Sequence, residues 1–594
     1  MTTKQAADRI DALRSLASGE RVHGYWVPSK DEHLGEFIPP WAERRRWISG
    51  FTGSAGDLIV TSNKAWLFTD GRYRIQALEQ VRKHGITVHS SGRDPSLTQT
   101  VTELARRRRG FRLGFDPFTL PASTAESVSD ALRKAGGALV GVEPNLVDTL
   151  WGDRPSAPDT PLRMVPPILS GRSCSEKLAS LRAELGELGA DAWVTVKLDE
   201  IAWLTNLRAH DDIPYSTAFI AFLYVGPRDA HLFPCGGPRR VPASALPEGV
   251  HVHDYHEFRG FLSGLREMRI ALDSEGVPAG VLDRLRHAET KLVIARSPVE
   301  KEKALKNPAE CEAMREANLR ASVAKTRALL WLRGCVAAGK VTTEAEFAKT
   351  ADAFYAEQRD YHGLSFATIV ASGTNSALPH YGAVDDTPIE PGTLFLVDSG
   401  AHIGGGTTDA TRTIAIGPVD DKARRIYTRV LQAHIRLAQQ HFPEGTPGTA
   451  LDTVARSVLW RDRLDYEHGT GHGVGAGLNV HEGPFTLAEG ARKPSAIYPL
   501  REGMVTSVEP GYYEEGWGGV RLENLYIIFR DDDSGWLTLE CLTWIPFDRT
   551  LIDRELLSRD EIAWLEEYQE ACVTRLAPWI DDRERSRLSD WIVG

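Results

Sequence analysis

"GTLFLVDSGAHIGGGTTDATRTIAI" occupies residues 392–416. Leu394 to Val397 form an unbroken apolar run, the pattern of a strand covered on both faces. Asp398 closes that run, and Asp409 follows eleven residues later, just before a second β-rich run. A hairpin between the two runs brings both carboxylates to one place.

Two further stretches lie downstream. "EHGTGHGVGAGLNVHEGP", residues 467–484, sets His468, His472 and His481 among glycines. Glycine lets backbone approach a ligand closely, and histidine ligates metals and moves protons. The stretch reads as a loop forming one wall of a site. "GMVTSVEPGYYEEGWGGVRLENLYII", residues 503–528, carries Glu509 after "MVTSV" and Glu523 fourteen residues on, again on adjoining strands. Four buried carboxylates repel one another unless they take up protons or bind cations. Two divalent cations neutralise them, and His472 adds a nitrogen ligand. An oxygen-rich set with one imidazole and no thiolate suits Mn²⁺ first, with Co²⁺, Fe²⁺ or Zn²⁺ as alternatives, and not a structural zinc. Taken singly, each residue is ordinary: an Asp at a strand end is usually a turn residue. "HEGPF" is not H-E-x-x-H, because position 485 is Phe, and the glycine stretch lacks the G-K-[ST] ending of a P-loop. The joint order and spacing are specific.

The chain has 594 residues, too many for one core, and reads as about three or four domains. Its net charge of -11 argues against a nucleic-acid partner, and "RRRR" at 106–109 reads as a solvated helix face. No apolar run is long enough for a membrane span, and the first residues lack a secretory h-region. The six cysteines are scattered and form no CxxC, as expected of reduced, mostly buried thiols. A cytoplasmic protein is the default expectation.

The first 150 residues alternate strands ("DLIVTS", "KAWLFTDG") with helices ("SLTQTVTELARRRR"), and "WGDRPSAPDTP" at 151–161 reads as a linker. From about 172 the pattern restarts: "CSEKLASLRAELGELG" is a helix and "AFIAFLYV" a buried strand. An internal echo links the two regions. Trp26-Val27, Asp31-Glu32 and Trp47-Ile48-Ser49 reappear as Trp193-Val194, Asp199-Glu200 and Trp203-Leu204-Thr205. Near 300 a third region opens with a long helix capped by Asn307-Pro308, then a second helix capped by Thr343. The tail after about 537 reads as docked helices.

The motifs "LVDSGA", "GTTDATRT", "HGTGHGVG", "NVHEGP", "EPGYYE" and "RLEN" resemble, in order, those of the pita-bread metallopeptidases. Among these the three-domain cytosolic Xaa-Pro aminopeptidases are the best match, because "ISGFTGSAG", "FTDGRY", "LDEIAWLTNLR" and "LTWIPFDRTLID" extend the likeness over nearly the whole chain. The resemblance implies an α/β (α+β) fold: two creatinase-like N-terminal domains (1–155 and 156–305), a pita-bread catalytic domain (306–536) and a helical C-terminal extension (537–594). It implies two divalent metal ions on Asp398, Asp409, His472, Glu509 and Glu523, with Asp409 and Glu523 bridging. His380, His468 and His481 correspond to the family's substrate-contacting, proton-handling histidines; Glu509, which could both ligate and reach the nucleophile, is the expected proton acceptor. The implied activity is release of the first residue from peptides with proline second, through a hydroxide bridging the metals, by a homodimer. A prolidase, a non-catalytic binding protein on the same fold, and a metal-free hydrolase of the creatinase kind are the competing readings.

Overall fold

The computed structural model describes residues 2–382, 384–490, 493–531 and 535–593. Met1 and Gly594, the outer limits of the first and last expected segments, lie outside them. The chain forms two compact units, one built mainly from the first 299 residues and the other mainly from Glu300 onward.

The first unit holds two six-stranded sheets of the same design. In the first sheet Gly24–Val27 is central, antiparallel to Asp57–Thr61 and parallel to Arg112–Phe115. In the second, Ala192–Thr195 is central, antiparallel to Ala221–Val225 and parallel to Arg269–Leu272. Each sheet adds one more strand antiparallel, then one parallel, on the first side, and one parallel strand on the other. All four residues of each central strand are buried, so these strands are apolar on both faces. The tryptophan echo lies on this repeat: Trp26 and Trp193 occupy the two central strands. Trp47-Ile48 and Trp203-Leu204 sit on the helices Arg44–Ser49 and Leu198–Thr205. The four arginines 106–109 are exposed, and the helix Leu97–Arg107 ends within them, where cations suit its C-terminal dipole.

The second unit is two helix-pair-plus-sheet halves in succession. The first half opens with Pro308–Ala337, whose N-cap Asn307 and Glu310 form a reciprocal capping box, and Glu344–Ala356, capped by Thr343. These precede the sheet Ile369–Ser372, Thr393–Ser399 and Ala410–Ile416. The second half repeats the order with Asp421–Ala438 and Gly448–Trp460, then Gly471–Gly473, Glu482–Leu487, Val505–Val508 and Asn524–Arg530 in one sheet. One buried apolar cluster packs both halves, from Val323 and Phe347 through Tyr427 and Leu431 to Tyr568 and Trp591.

Two local readings need correction. The glycine–histidine stretch is not all loop: Gly471–Gly473 is a short strand paired with both Glu482–Leu487 and Val505–Val508. The tail is not helical from its start. Trp536–Cys541 is a strand of the six-stranded sheet, hydrogen-bonded along Asn524–Arg530, and regular α-helix begins only at Arg559–Leu576. An alternation of tryptophan, leucine and threonine satisfies a sheet edge as well as a docked helix, and the open backbone of the neighbouring strand selects the sheet. No described helix is long and apolar enough to cross a membrane. All six cysteines are free.

Candidate metal centre

Two halves of the second unit each deliver carboxylates to one place. In the first half, Thr393–Ser399 and Ala410–Ile416 run antiparallel with Asp398 opposite Thr411 and Ser399 opposite Ala410. The connection between them folds into its own small strands, Ala401–Ile403 and Gly406–Thr407, and leaves Asp409 at the mouth of the ladder. Asp398 and Asp409 therefore end up as neighbours, both buried.

The second half contributes through its sheet. Val508 pairs with Asn524, so Glu509 and Glu523 sit at adjacent ends of paired strands. Glu509 is fixed by its amide, which donates to Thr470 O at 2.8 Å. The amide of Glu523 donates to Thr411 O at 3.1 Å, and Thr411 Oγ1 donates to Glu523 Oε2 at 2.7 Å, tying the two halves together. His472 stands between two glycines because nothing larger fits on either side. A Cβ at Gly471 would lie 2.1 Å from Ser507 O, and one at Gly473 2.3 Å from Glu482 O. That close approach of three strands aims the ring. Nδ1 is satisfied by Gly473 O at 2.9 Å, and Nε2 faces Asp409 Oδ2 and Glu509 Oε1, each at 3.5 Å.

Asp409, His472 and Glu523 each offer one ligand atom, and these atoms all lie within 4.8 Å of one another. Asp398 Oδ1 and Asp409 Oδ1 are buried without a hydrogen-bond partner. An unpartnered buried carboxylate oxygen is costly unless a cation meets it. These residues thus fit divalent metal, and the mix of carboxylates with one imidazole fits hard-to-borderline ions.

The electrostatics agree. Burial pushes the Glu509 carboxyl up to about 7. Burial, then the charges of Asp409, Asp398 and Glu509, raise Glu523 well above the ordinary carboxylate range. Burial also raises Asp398, with Arg521 opposing. At Asp409 burial works the same way, but His472, His481 and Lys325 outweigh it and hold the carboxyl below its ordinary value. Such strain in a set of acids is the mark of a site built for a cation.

The remaining expected residues surround these five. His481 packs edge-on to His472, with ring centroids 4.4 Å apart. His468 binds Gly469 O through Nδ1 at 2.8 Å and Tyr513 Oη through Nε2 at 2.9 Å, and its Nδ1 is 4.0 Å from Glu509 Oε2. His380 is half-buried on the loop after Gly373–Ala377. That loop is held to the centre by Arg521 Nη1, which donates to Pro379 O at 3.2 Å, and to the helix Glu344–Ala356 by Asn375, which donates to Glu344 and to Tyr381 Oη.

Sequence reasoning missed the supporting cations. Arg521 donates to Asp398 Oδ2 at 2.7 Å, to Tyr513 Oη at 2.8 Å and to Thr411 Oγ1 at 3.0 Å. Lys325, fully buried on Pro308–Ala337, donates to Ser399 O at 2.9 Å and to Ala410 O, the carbonyls next to Asp398 and Asp409. Arg521 and Tyr513 lie inside the quoted motifs, but Lys325, though the one lysine of its helix, lies in none of them and nothing in its sequence neighbours marks it.

Residues 312–529 match the model of metallopeptidase family M24. Residues 9–150 and 153–310 match two models of the creatinase/prolidase N-terminal domain, and 535–593 match the C-terminal region of peptidase M24. With the clustered carboxylates, these matches define an M24 metallopeptidase with a pita-bread catalytic domain. Proteins named "Probable Xaa-Pro aminopeptidase P" from Paracoccidioides lutzii and Neurospora crassa are each 37% identical to all of this chain, over 99% and 89% of their own lengths. The crystal structure of X-prolyl aminopeptidase from Caenorhabditis elegans, described as a cytosolic enzyme with a di-nuclear active site, superposes with TM-score 0.91 at 32% identity over 99% of both chains. The chain belongs to the Xaa-Pro aminopeptidase P family. A prolidase from Pyrococcus horikoshii shares the fold at 23% identity and TM-score 0.50 over 63% of this chain.

Proposed function

We propose that this chain is a metal-dependent aminopeptidase that releases the first residue from peptides with proline in second position. The observation that carries this reading is the mutual 4.8 Å approach of Asp409, His472 and Glu523, beside unpartnered oxygens on Asp398 and Asp409, in a chain alike end to end to Xaa-Pro aminopeptidases P. Asp398, Asp409, His472, Glu509 and Glu523 would hold two divalent ions, Mn²⁺ first and Co²⁺, Fe²⁺ or Zn²⁺ as alternatives, with Asp409 and Glu523 shared. When bound, such ions supply a water-derived nucleophile near neutral pH and polarise the scissile carbonyl.

The chain's own groups do the rest. Glu509, which would both ligate and reach the nucleophile's place, accepts the proton released at attack and returns it toward the leaving nitrogen. Asp398, one of whose oxygens is held by Arg521, receives the substrate's free amine. His380 and His481 hold the carbonyl oxygen as charge develops on it. His468, oriented by Tyr513, contacts the substrate near proline. The bond before proline has no N–H on its nitrogen and a restricted residue before it. A peptidase that grips an extended backbone through that N–H fails here, so ring contacts must replace it.

We assign the segments 1–155, 156–305, 306–536 and 537–594 to the two N-terminal domains, the catalytic domain and the extension, and infer a homodimer working in the cytoplasm. The test is one assay on metal-stripped protein, with and without Mn²⁺, on Xaa-Pro-Yaa, Xaa-Pro and Xaa-Ala-Yaa. Metal-dependent cleavage of the first alone supports the reading. Preference for the dipeptide makes the protein a prolidase, full activity without metal makes it a creatinase-like hydrolase, and bound metal without cleavage makes it a binding protein.

A further inference from the structure

Three histidines stand together on the second sheet of the first unit. His231 lies on the strand Ala230–Pro234 and His251 on the edge strand Val250–Val252, where the two are register partners and share a face. His253, two residues beyond His251, returns to that face. The His231 ring is 5.1 Å from that of His253 and 5.2 Å from that of His251. Phe233 and Phe261 pack against this group.

Two neutral rings satisfy the hydrogen bonds of this cluster but leave one lone pair turned toward a carboxylate. His231 Nδ1 and His253 Nε2 face each other at 2.9 Å. Their outer nitrogens face carboxylates: His231 Nε2 is 3.3 Å from Asp229 Oδ2, and His253 Nδ1 is 3.5 Å from Glu257 Oε2. A neutral imidazole carries one N–H and one lone pair. If both outer nitrogens donate to their carboxylates, two lone pairs meet between the rings. If one inner nitrogen donates instead, that ring's outer lone pair meets a carboxylate. The His231–His253 and His231–Asp229 hydrogen bonds use both protons of two neutral rings, and His253 Nδ1, 3.5 Å from the largely exposed Glu257, keeps its lone pair. A cation between the inner nitrogens would let both outer nitrogens donate to their carboxylates.

We propose that this cluster is a second metal site, taking a divalent transition ion of the imidazole-preferring class: Zn²⁺, Cu²⁺ or Ni²⁺. His231 Nδ1 and His253 Nε2 are the two ligands already in place. Asp229 and Glu257 take the outer N–H groups, the arrangement commonly found behind metal-bound histidines. The exposed His251 side chain swings in as a third ligand, and water completes the shell. The site does not rest on the peptidase reading and uses none of its residues.

The test uses full-length protein whose carboxylate centre is first loaded with Mn²⁺. Zn²⁺ uptake at micromolar free metal is measured by equilibrium dialysis and elemental analysis, and bound Cu²⁺ is read by electron paramagnetic resonance. Wild type is expected to take one equivalent more of Zn²⁺ than H231Q/H253Q, and its Cu²⁺ spectrum to show nitrogen hyperfine lines that the double variant lacks, with unchanged peptidase activity in both. Asp229→Asn, which keeps both ligands, is expected to weaken Zn²⁺ binding by about tenfold or more. It keeps the proposal testable if the double variant folds poorly. Equal Zn²⁺ uptake by all three proteins, or a Cu²⁺ spectrum without imidazole nitrogen, overturns the proposal.

Discussion

Arg521 and Asp398, 123 residues apart in sequence, meet through Nη2 and Oδ2 at 2.7 Å, both buried. The guanidinium takes one carboxylate oxygen and leaves the other, Oδ1, without a partner. It also holds Tyr513, and through Tyr513 reaches His468. Replacing Arg521 by Met therefore loosens an acid, a tyrosine and a histidine together. Losses of outer partners of this kind typically cost about 10–100-fold in metal affinity or activity. Chelator competition on Arg521→Met should read a drop of that size, and affinity equal to wild type would remove Arg521 from the centre's support.

Asp409 and Glu523 each bring a carboxylate oxygen within 4.8 Å of a His472 ring nitrogen and of each other. Substituting either by Ala should abolish tight metal binding and peptidase activity, read by elemental analysis and by release of the first residue from Xaa-Pro-Yaa. Near-normal activity in either variant would end the assignment of both as shared ligands. The stability effect should have opposite signs in the two states. In metal-free protein Glu523→Gln relieves repulsion among buried acids and raises the melting temperature, while the stabilisation that Mn²⁺ gives wild type disappears.

The raised acids give a pH dependence with a definite sign. Glu509 moves from its ordinary 4.5 up to about 7 on folding, so between those values the folded metal-free protein binds more protons than the unfolded chain. Stability contributed by this group is fully present below the unfolded value and is lost as pH rises through about 7. Metal competes with those protons, so its stabilising effect grows over the same window. Melting temperatures with chelator and with Mn²⁺ should diverge as pH rises from about 5 to about 8. In Glu509→Gln the chelator curve should flatten across that window, and an unchanged slope would rule out Glu509 as its source.

The C-terminal tail supports Glu523 from behind. Arg412 donates to Glu523 O at 2.7 Å, to Ile545 O at 2.6 Å and to Tyr568 Oη at 2.8 Å. Tyr568→Phe removes an acceptor from a buried guanidinium and should cost roughly 1.5–3 kcal/mol of stability. The denaturant midpoint should fall while the slope stays constant, and a variant as stable as wild type would detach the tail from this role.

Much of this was legible in local pattern. The apolar run ending at Asp398, the caps at Asn307 and Thr343, and the Trp26/Trp193 echo each report chemistry carried by neighbouring residues, and the duplicated sheets follow from that echo. The strand at Gly471–Gly473 was hidden, because three residues flanked by glycine carry no periodicity. So was the strand at Trp536–Cys541, which is set by the open edge it meets.

The sequence by itself determined which acids and imidazoles the chain owns, their order, and the strands that end on them, because burial pattern and turn chemistry act over a few residues. Tertiary structure alone decided that Asp398 and Asp409 from one half converge with His472, Glu509 and Glu523 from the other. It also decided that Lys325 and Arg521 stand behind them. Charges separated by a hundred residues interact only after the core has packed and removed the water that would screen them.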